Sequence, residues 1–116
     1  APAAVQKRLI LPKAAERSRP SWFGFMITCK EGVDRNHLVQ ELENRGIQTR
    51  MLFAGNLTKH PCFDEMREQK QGYRVVGELT NTDRIMRDTF WIGVYPGMTD
   101  EKIDYMAKVI KEGLVL

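Results

Sequence analysis

The sequence predicts an α+β fold, a small antiparallel or mixed sheet of three to four strands with helices mainly on one face. Three observations carry it. Two stretches rich in aromatic and β-branched residues, 22–29 and 90–95, read as buried strands. Two amphipathic stretches with capping residues read as helices. These alternate in the order strand, helix, strand, small helices, strand, helix.

Composition bounds the rest. The chain has 116 residues, 18 Lys+Arg against 15 Asp+Glu, a formal charge of +3, and 42% hydrophobic residues. That is one soluble globular domain, with neither the composition of a disordered chain nor an apolar run near the roughly 20 residues a membrane helix needs. Two cysteines, Cys29 and Cys62, make no disulfide scaffold, and free thiols suit a reducing cytoplasm. No signal-peptide layout opens the chain, and a start at Ala1 rather than Met reads as a processed or excised segment.

Along the chain, residues 1–20 read as a connector arm, mobile or dependent on a parent protein. Residues 3–11 suit a short helix or strand, Pro12 stops it, and the polar stretch to Pro20 is turn-prone. Residues 21–116 read as the folded domain. In the first strand, Gly24 signals a bulge or a close backbone approach by another chain. Asp34 is placed to cap a helix reaching Arg45, with Leu38, Val39 and Leu42 as its apolar stripe, Val33 and Leu38 at staple spacing, and Gly46 as its stop.

Residues 47–53 alternate as a half-buried strand, which puts Arg50 on the face opposite Met51 and Phe53. Ala54, Gly55 and Asn56 break it. Pro61 opens a short helix carrying Phe63 and Met66, and residues 68–72 read as an exposed loop. Residues 73–79 suit a short extended piece, and Asn81 caps a brief helix over 82–87. The strand over 90–95 closes at Pro96 and Gly97. Thr99 caps the last helix, Asp100 and Glu101 sit in its favourable first turn, and Gly113 ends it. Met98 and Ile103 repeat the staple spacing. Ile103, Met106, Ala107 and Ile110 form the expected buried stripe.

Chemistry-bearing motifs are sparse. Cys29, His37, His60 and Cys62 are four potential zinc ligands without zinc-site spacing, and the plainer reading is two surface histidines and two small buried thiols. No nucleophile elbow or phosphate loop occurs. Lys7, Arg8, Lys13, Arg17 and Arg19 cluster on the polar arm with no aromatic among them, which reads as a solvated linker rather than a nucleic-acid surface. One segment stands apart. Arg50, Phe53 and Asn56 offer a cation, a flat ring and an amide near one strand end, a set that can bind a sugar or an anion. The competing reading pairs Arg50 with a surface acid and leaves Asn56 to hold the turn.

Four strings carry a resemblance: SWFGF (21–25), RMLFAGNLT (50–58), VVGELTNTDRIM (75–86) and TFWIGVYPGMT (89–99). In this order they resemble the C-terminal part of the DegT/DnrJ/EryC1/StrS sugar aminotransferase family, within it the CDP-4-dehydro-6-deoxyglucose 3-dehydratase branch of lipopolysaccharide O-antigen biosynthesis. The resemblance implies a cytoplasmic, dimeric enzyme of the fold type I aminotransferase class. It also implies pyridoxamine or pyridoxal phosphate (PMP/PLP), a [2Fe-2S] cluster, an NADH-dependent reductase partner and a CDP-linked nucleotide sugar as substrate. These residues correspond to the small C-terminal domain that covers the cleft, with Arg50, Phe53 and Asn56 as the implied substrate-facing positions. The catalytic, cofactor-binding and cluster residues of the family map to none of them, so the 116-residue piece alone is expected to hold no cofactor and to turn over no sugar. Two other readings compete: a free-standing α+β module for a small ligand, with a closed pocket, and a basic nucleic-acid module.

Overall fold

A computed structural model describes residues 2–114. Four strands form one sheet, β1 (Leu9–Ile10), β2 (Gly24–Cys29), β3 (Thr49–Met51) and β4 (Thr89–Gly93), in the order β1-β2-β4-β3. Every neighbouring pair is antiparallel. β2 and β3 are therefore parallel to each other, with the last strand of the chain inserted between them. The helix joining them, α2 (Arg35–Asn44), spans that gap.

The pleat sorts the side chains. Ile27 and Cys29 of β2 and Phe90 and Ile92 of β4 are buried beneath α2 and α5 (Asp100–Gly113). Their alternates, Met26, Thr28, Thr89 and Trp91, point to the opposite face. There Thr28 and Thr89 join hydroxyls at 2.8 Å.

The caps follow the local sequence. Asp34 Oδ1 accepts the backbone N–H groups of Asn36 and His37 at 2.9 and 3.2 Å, and Leu38 and Leu42 are buried one turn apart. Gly46 leaves that helix at φ +83°, a conformation open to glycine. Thr99 Oγ1 accepts the Lys102 N–H at 3.2 Å to open α5. Gly113 does not stop this helix. It is the last helical residue, and a Cβ there would lie 2.7 Å from Leu38 Cδ1, so its bare backbone lets α5 approach α2. The buried face of α5 is Val109 and Ile110, with Met106 half-buried. Ile103 and Ala107 are exposed, so the apolar stripe is rotated from the expected one. Ile103 and Met98 instead border an open apolar groove of about 370 Å³ shared with Leu9, Leu11 and Phe25.

Three segments extend or differ from the sequence reading. The first is the 1–20 arm, where the short helix or strand expected over 3–11 forms as both: α1 (Ala3–Gln6) and β1 lie within it, Val5 and Leu9 join the core, and the Lys30 N–H donates to Arg8 O at 2.8 Å. Apolar residues at a spacing of four let this short helix and strand bury themselves against the sheet edge. The second is 73–79, which forms no strand and is exposed but for half-buried Leu79. β1 and β3 are the outer strands of the sheet, and 73–79 pairs with neither. The third is α4 (Thr80–Asp88), which starts ahead of Asn81 and follows Leu79 with no side-chain cap. Asp83 in its first turn supplies the negative charge that favours a helix start. Two 3₁₀ turns (Leu57–Lys59, Pro61–Phe63) and α3 (Asp64–Gln69) connect β3 to this region.

Candidate functional site

The site is built on the sheet face away from α2 and α5, around Trp91. In the register, Trp91 of β4 stands opposite Met26 of β2 on one side and Arg50 of β3 on the other. All three therefore project from the same face. The indole lies over Gly24: a Cβ there would meet Trp91 Cε3 at 2.3 Å. The close approach expected at Gly24 thus comes from a side chain of the same sheet. Trp91 Nε1 donates to Met51 O at 3.1 Å, which fixes the plane of the ring.

Two exposed phenylalanines flank this indole. The Phe23 ring centroid is 5.4 Å from that of Trp91 and the Phe53 centroid 6.5 Å, tilted by 48° and 46°. Phe23 and Phe53 are 78% and 77% exposed. Strand parity alone would put Phe53 opposite Arg50. The strand ends at Met51, however, and Phe53 takes φ +45°, its N–H turning back to Met51 O at 2.7 Å. That turn swings the ring onto the Arg50 face. An L residue in the left-handed region gives up about 1–2 kcal/mol, strain of the kind that collects at functional sites. A trough of about 300 Å³ lies among these rings, bordered by Met26 and Leu52.

Arg50 is exposed, and among the described residues no carboxylate lies within ion-pair distance of it. The acid nearest to it in sequence, Glu43 of α2, accepts both the N–H and the hydroxyl of Thr49, at 2.7 and 2.8 Å. Those two bonds, with a smaller contribution from Arg50, hold the Glu43 carboxyl below its usual range. Among the described residues the Arg50 guanidinium makes no hydrogen bond and no ion pair.

Asn56 is placed differently. It is 2% exposed. Its Oδ1 accepts the Thr58 N–H and hydroxyl at 3.0 and 2.6 Å, and its Nδ2 donates to Asp83 Oδ1 at 2.7 Å. Its own N–H reaches Met86 Sδ at 3.3 Å. The side chain pins the loop after β3 to α4 and presents nothing to the trough. Lys59 completes this node with an ion pair to Asp83 at 3.0 Å. The bond from Asn56, then that from Lys59, holds the Asp83 carboxyl below its ordinary range.

The possible zinc ligands are scattered. Cys29 is in the core, where burial first and Asp88 second push its thiol up to about 11. His37 is on α2, His60 turns its Nε2 to Ala54 O, and Cys62 is exposed rather than buried. Among the described residues, no three His, Cys, Asp or Glu side chains gather as a metal site. No helix among them is long and apolar enough to cross a membrane. Phe23 and Trp91 are the site residues that sequence reasoning missed. The signal available for them was Gly24, a residue with no side chain inside an aromatic strand.

With this geometry in view, residues 3–111 match the model of the DegT/DnrJ/EryC1/StrS aminotransferase family, and the chain belongs to that family. It is 57% identical over 106 residues to the lipopolysaccharide biosynthesis protein RfbH of Salmonella typhimurium, covering 90% of this chain and 23% of that protein. It is 50% identical over 106 residues to a dTDP-4-dehydro-2,6-dideoxy-D-glucose 3-dehydratase of Saccharopolyspora spinosa, covering 90% and 22%. Among solved structures it superposes on the Escherichia coli GDP-4-keto-6-deoxy-D-mannose-3-dehydratase with bound hydrated PLP, with a TM-score of 0.72 and 27% identity over 89% of this chain and 25% of that one. The α+β architecture is thus that of a PLP-dependent aminotransferase-fold relative. The chain spans about a quarter of the length of the relatives it matches.

Proposed function

We propose that this chain is the C-terminal, substrate-covering domain, residues 21–116 with the preceding arm, of a PMP/PLP-dependent nucleotide-sugar 3-dehydratase in deoxysugar and O-antigen biosynthesis. The substrate is a CDP-linked 4-keto-6-deoxy sugar. The observation that carries the reading is the convergence of Arg50, Phe53 and Trp91 on one open sheet face. The unpaired guanidinium is a planar fork suited to a diphosphate oxygen pair. Phe53 and Trp91 give the bound molecule an apolar wall that excludes water from that contact. Asn56 is a positioning residue: it holds the strand-end turn that sets the Phe53 ring.

The cofactor groups do not fit these residues. A [2Fe-2S] cluster needs four thiolates. The chain has two thiols, one a core thiol with a raised pKa and the other exposed on a distant turn. A pyridoxal-type cofactor needs a phosphate cup and a buried base, whereas every lysine here is exposed except half-buried Lys30, whose Nζ donates to Gln6 O. The cofactor and the cluster therefore belong to a large domain outside these residues, and the full-length enzyme works as a homodimer with an NADH-dependent reductase. The enzyme is cytoplasmic. The isolated piece is inactive, and the nucleic-acid reading is set aside. The open apolar groove beside α5 supports a domain within a larger protein over a free-standing module with a closed pocket.

Arg50→Ala in the full-length enzyme tests the assignment. Loss of a charged hydrogen-bond partner of about 1.5–3 kcal/mol raises the KM for the nucleotide sugar roughly 10- to 100-fold. An unchanged KM rejects it.

A further inference from the structure

Resting on that reading, we propose that Phe23, Trp91 and Phe53 form a stacking trough for the nucleobase of the substrate, with Arg50 at its rim meeting the diphosphate. The sugar ring lies beyond it.

The shape of the trough selects the part of the ligand. At about 300 Å³ it is at the small end of ligand sites, enough for one flat ring system and not for a whole nucleotide sugar. Its chemistry selects further. The lining side chains have no oxygen acceptor. Their polar N–H groups are two indoles, Trp22 at the margin and Trp91, whose N–H is already given to Met51 O. A hexose, with donors and acceptors around its ring, would leave most of them unpaired there. A nucleobase stacks by its face and keeps its polar edge in water or against other residues.

The backbone points the same way. Phe53 keeps φ +45° and Phe23 stays 78% exposed, so both rings stand open to solvent beside Trp91. Gly24 clears the space in which Trp91 lies flat as the floor between them. Because stacking reads a ring face and not its edge, the trough discriminates little between bases, and selection of the sugar falls to other parts of the enzyme.

Calorimetric titration of the full-length enzyme with CDP, UDP and inorganic pyrophosphate tests this without turnover. Phe23→Ala is expected to weaken CDP binding about 5- to 100-fold, the range for loss of one base stack, and to leave pyrophosphate affinity unchanged. Phe23→Tyr restores CDP affinity, and UDP binds the wild type within about 10-fold of CDP. Wild-type CDP affinity in Phe23→Ala overturns the proposal, as does a preference for CDP over UDP beyond about 100-fold, which requires edge recognition. An enzyme that binds CDP through Phe23 yet dehydrates no sugar fails the activity reading alone. One that turns over normally with Phe23-independent CDP binding fails the trough alone.

Discussion

Gly24→Ala places a methyl where the structure has an indole. The added Cβ would lie 2.3 Å from Trp91 Cε3 and 2.9 Å from its Cδ2, deep inside van der Waals contact and against a rigid ring. The indole has to lift, and lifting it strains or breaks the 3.1 Å bond from Nε1 to Met51 O. Overpacking of this kind costs about 1–3 kcal/mol and a lost hydrogen bond about 0.5–1.5. Removing a glycine from a strand returns roughly 0.5–1 kcal/mol of backbone entropy. The net loss is about 2 kcal/mol, which lowers the thermal midpoint of a chain this size by roughly 8 °C. The control stands directly across the ladder. Gly93 pairs with Gly24, and a Cβ at Gly93 meets nothing within 4 Å, so Gly93→Ala is neutral or slightly stabilising. Thermal and urea unfolding of the two variants, followed by circular dichroism, decides it. Equal midpoints for Gly24→Ala and Gly93→Ala would refute the placement of Trp91 over Gly24, and with it the floor of the trough.

Two further outcomes follow from the same geometry. Asn56→Ala removes a buried amide that makes three side-chain hydrogen bonds; a loss of about 2–3 kcal/mol in urea unfolding is expected, and a loss below about 0.5 kcal/mol would refute its role as the pin of the turn. Acid stability depends on Glu43, Asp83 and Glu112, whose carboxyls are all held below their ordinary values by hydrogen bonds, chiefly from Thr49, Asn56 and Arg45. A depressed carboxyl contributes stability that is full above its unfolded pKa, near 4, and fades as pH falls through the folded value. The urea midpoint should therefore drop below about pH 4, and Glu112→Gln should flatten that drop; an identical acid profile in the variant refutes the Arg45–Glu112 contribution.

The helices were legible because their signals are local. Asp34 and Thr99 bond to amides two or three residues away, and Gly46 reports a φ that few other residues accept. The two main strands were legible from composition. Pairing order was not, since nothing in residues 49–51 says that their neighbour lies forty residues later. The last helix shows the limit of periodicity: Ile103 and Val109 both suit an apolar stripe, and only packing under α2 decides that Val109 is buried while Ile103 borders the groove.

The site was half legible for the same reason. Arg50 and Phe53 were readable as a cation and a ring near one strand end, but alternation assigned them to opposite faces. The inference fails where regular geometry ends: one left-handed residue at Phe53 reverses the parity, and phenylalanine gives no propensity signal for it. Asn56 had two readings with one sequence signal, because an amide beside glycine serves a turn or a ligand equally well, and its hydrogen-bond partner in the turn, Asp83, is twenty-seven residues away. What makes the trough is therefore long-range: Gly24 and Gly93 thin one rung of the ladder, Trp91 settles over Gly24, and Arg50 is carried to the rim by its register with Trp91. A change in the pairing register of β3 by one residue would turn Arg50 to the helix side, away from Trp91, with every residue of the trough still in the sequence.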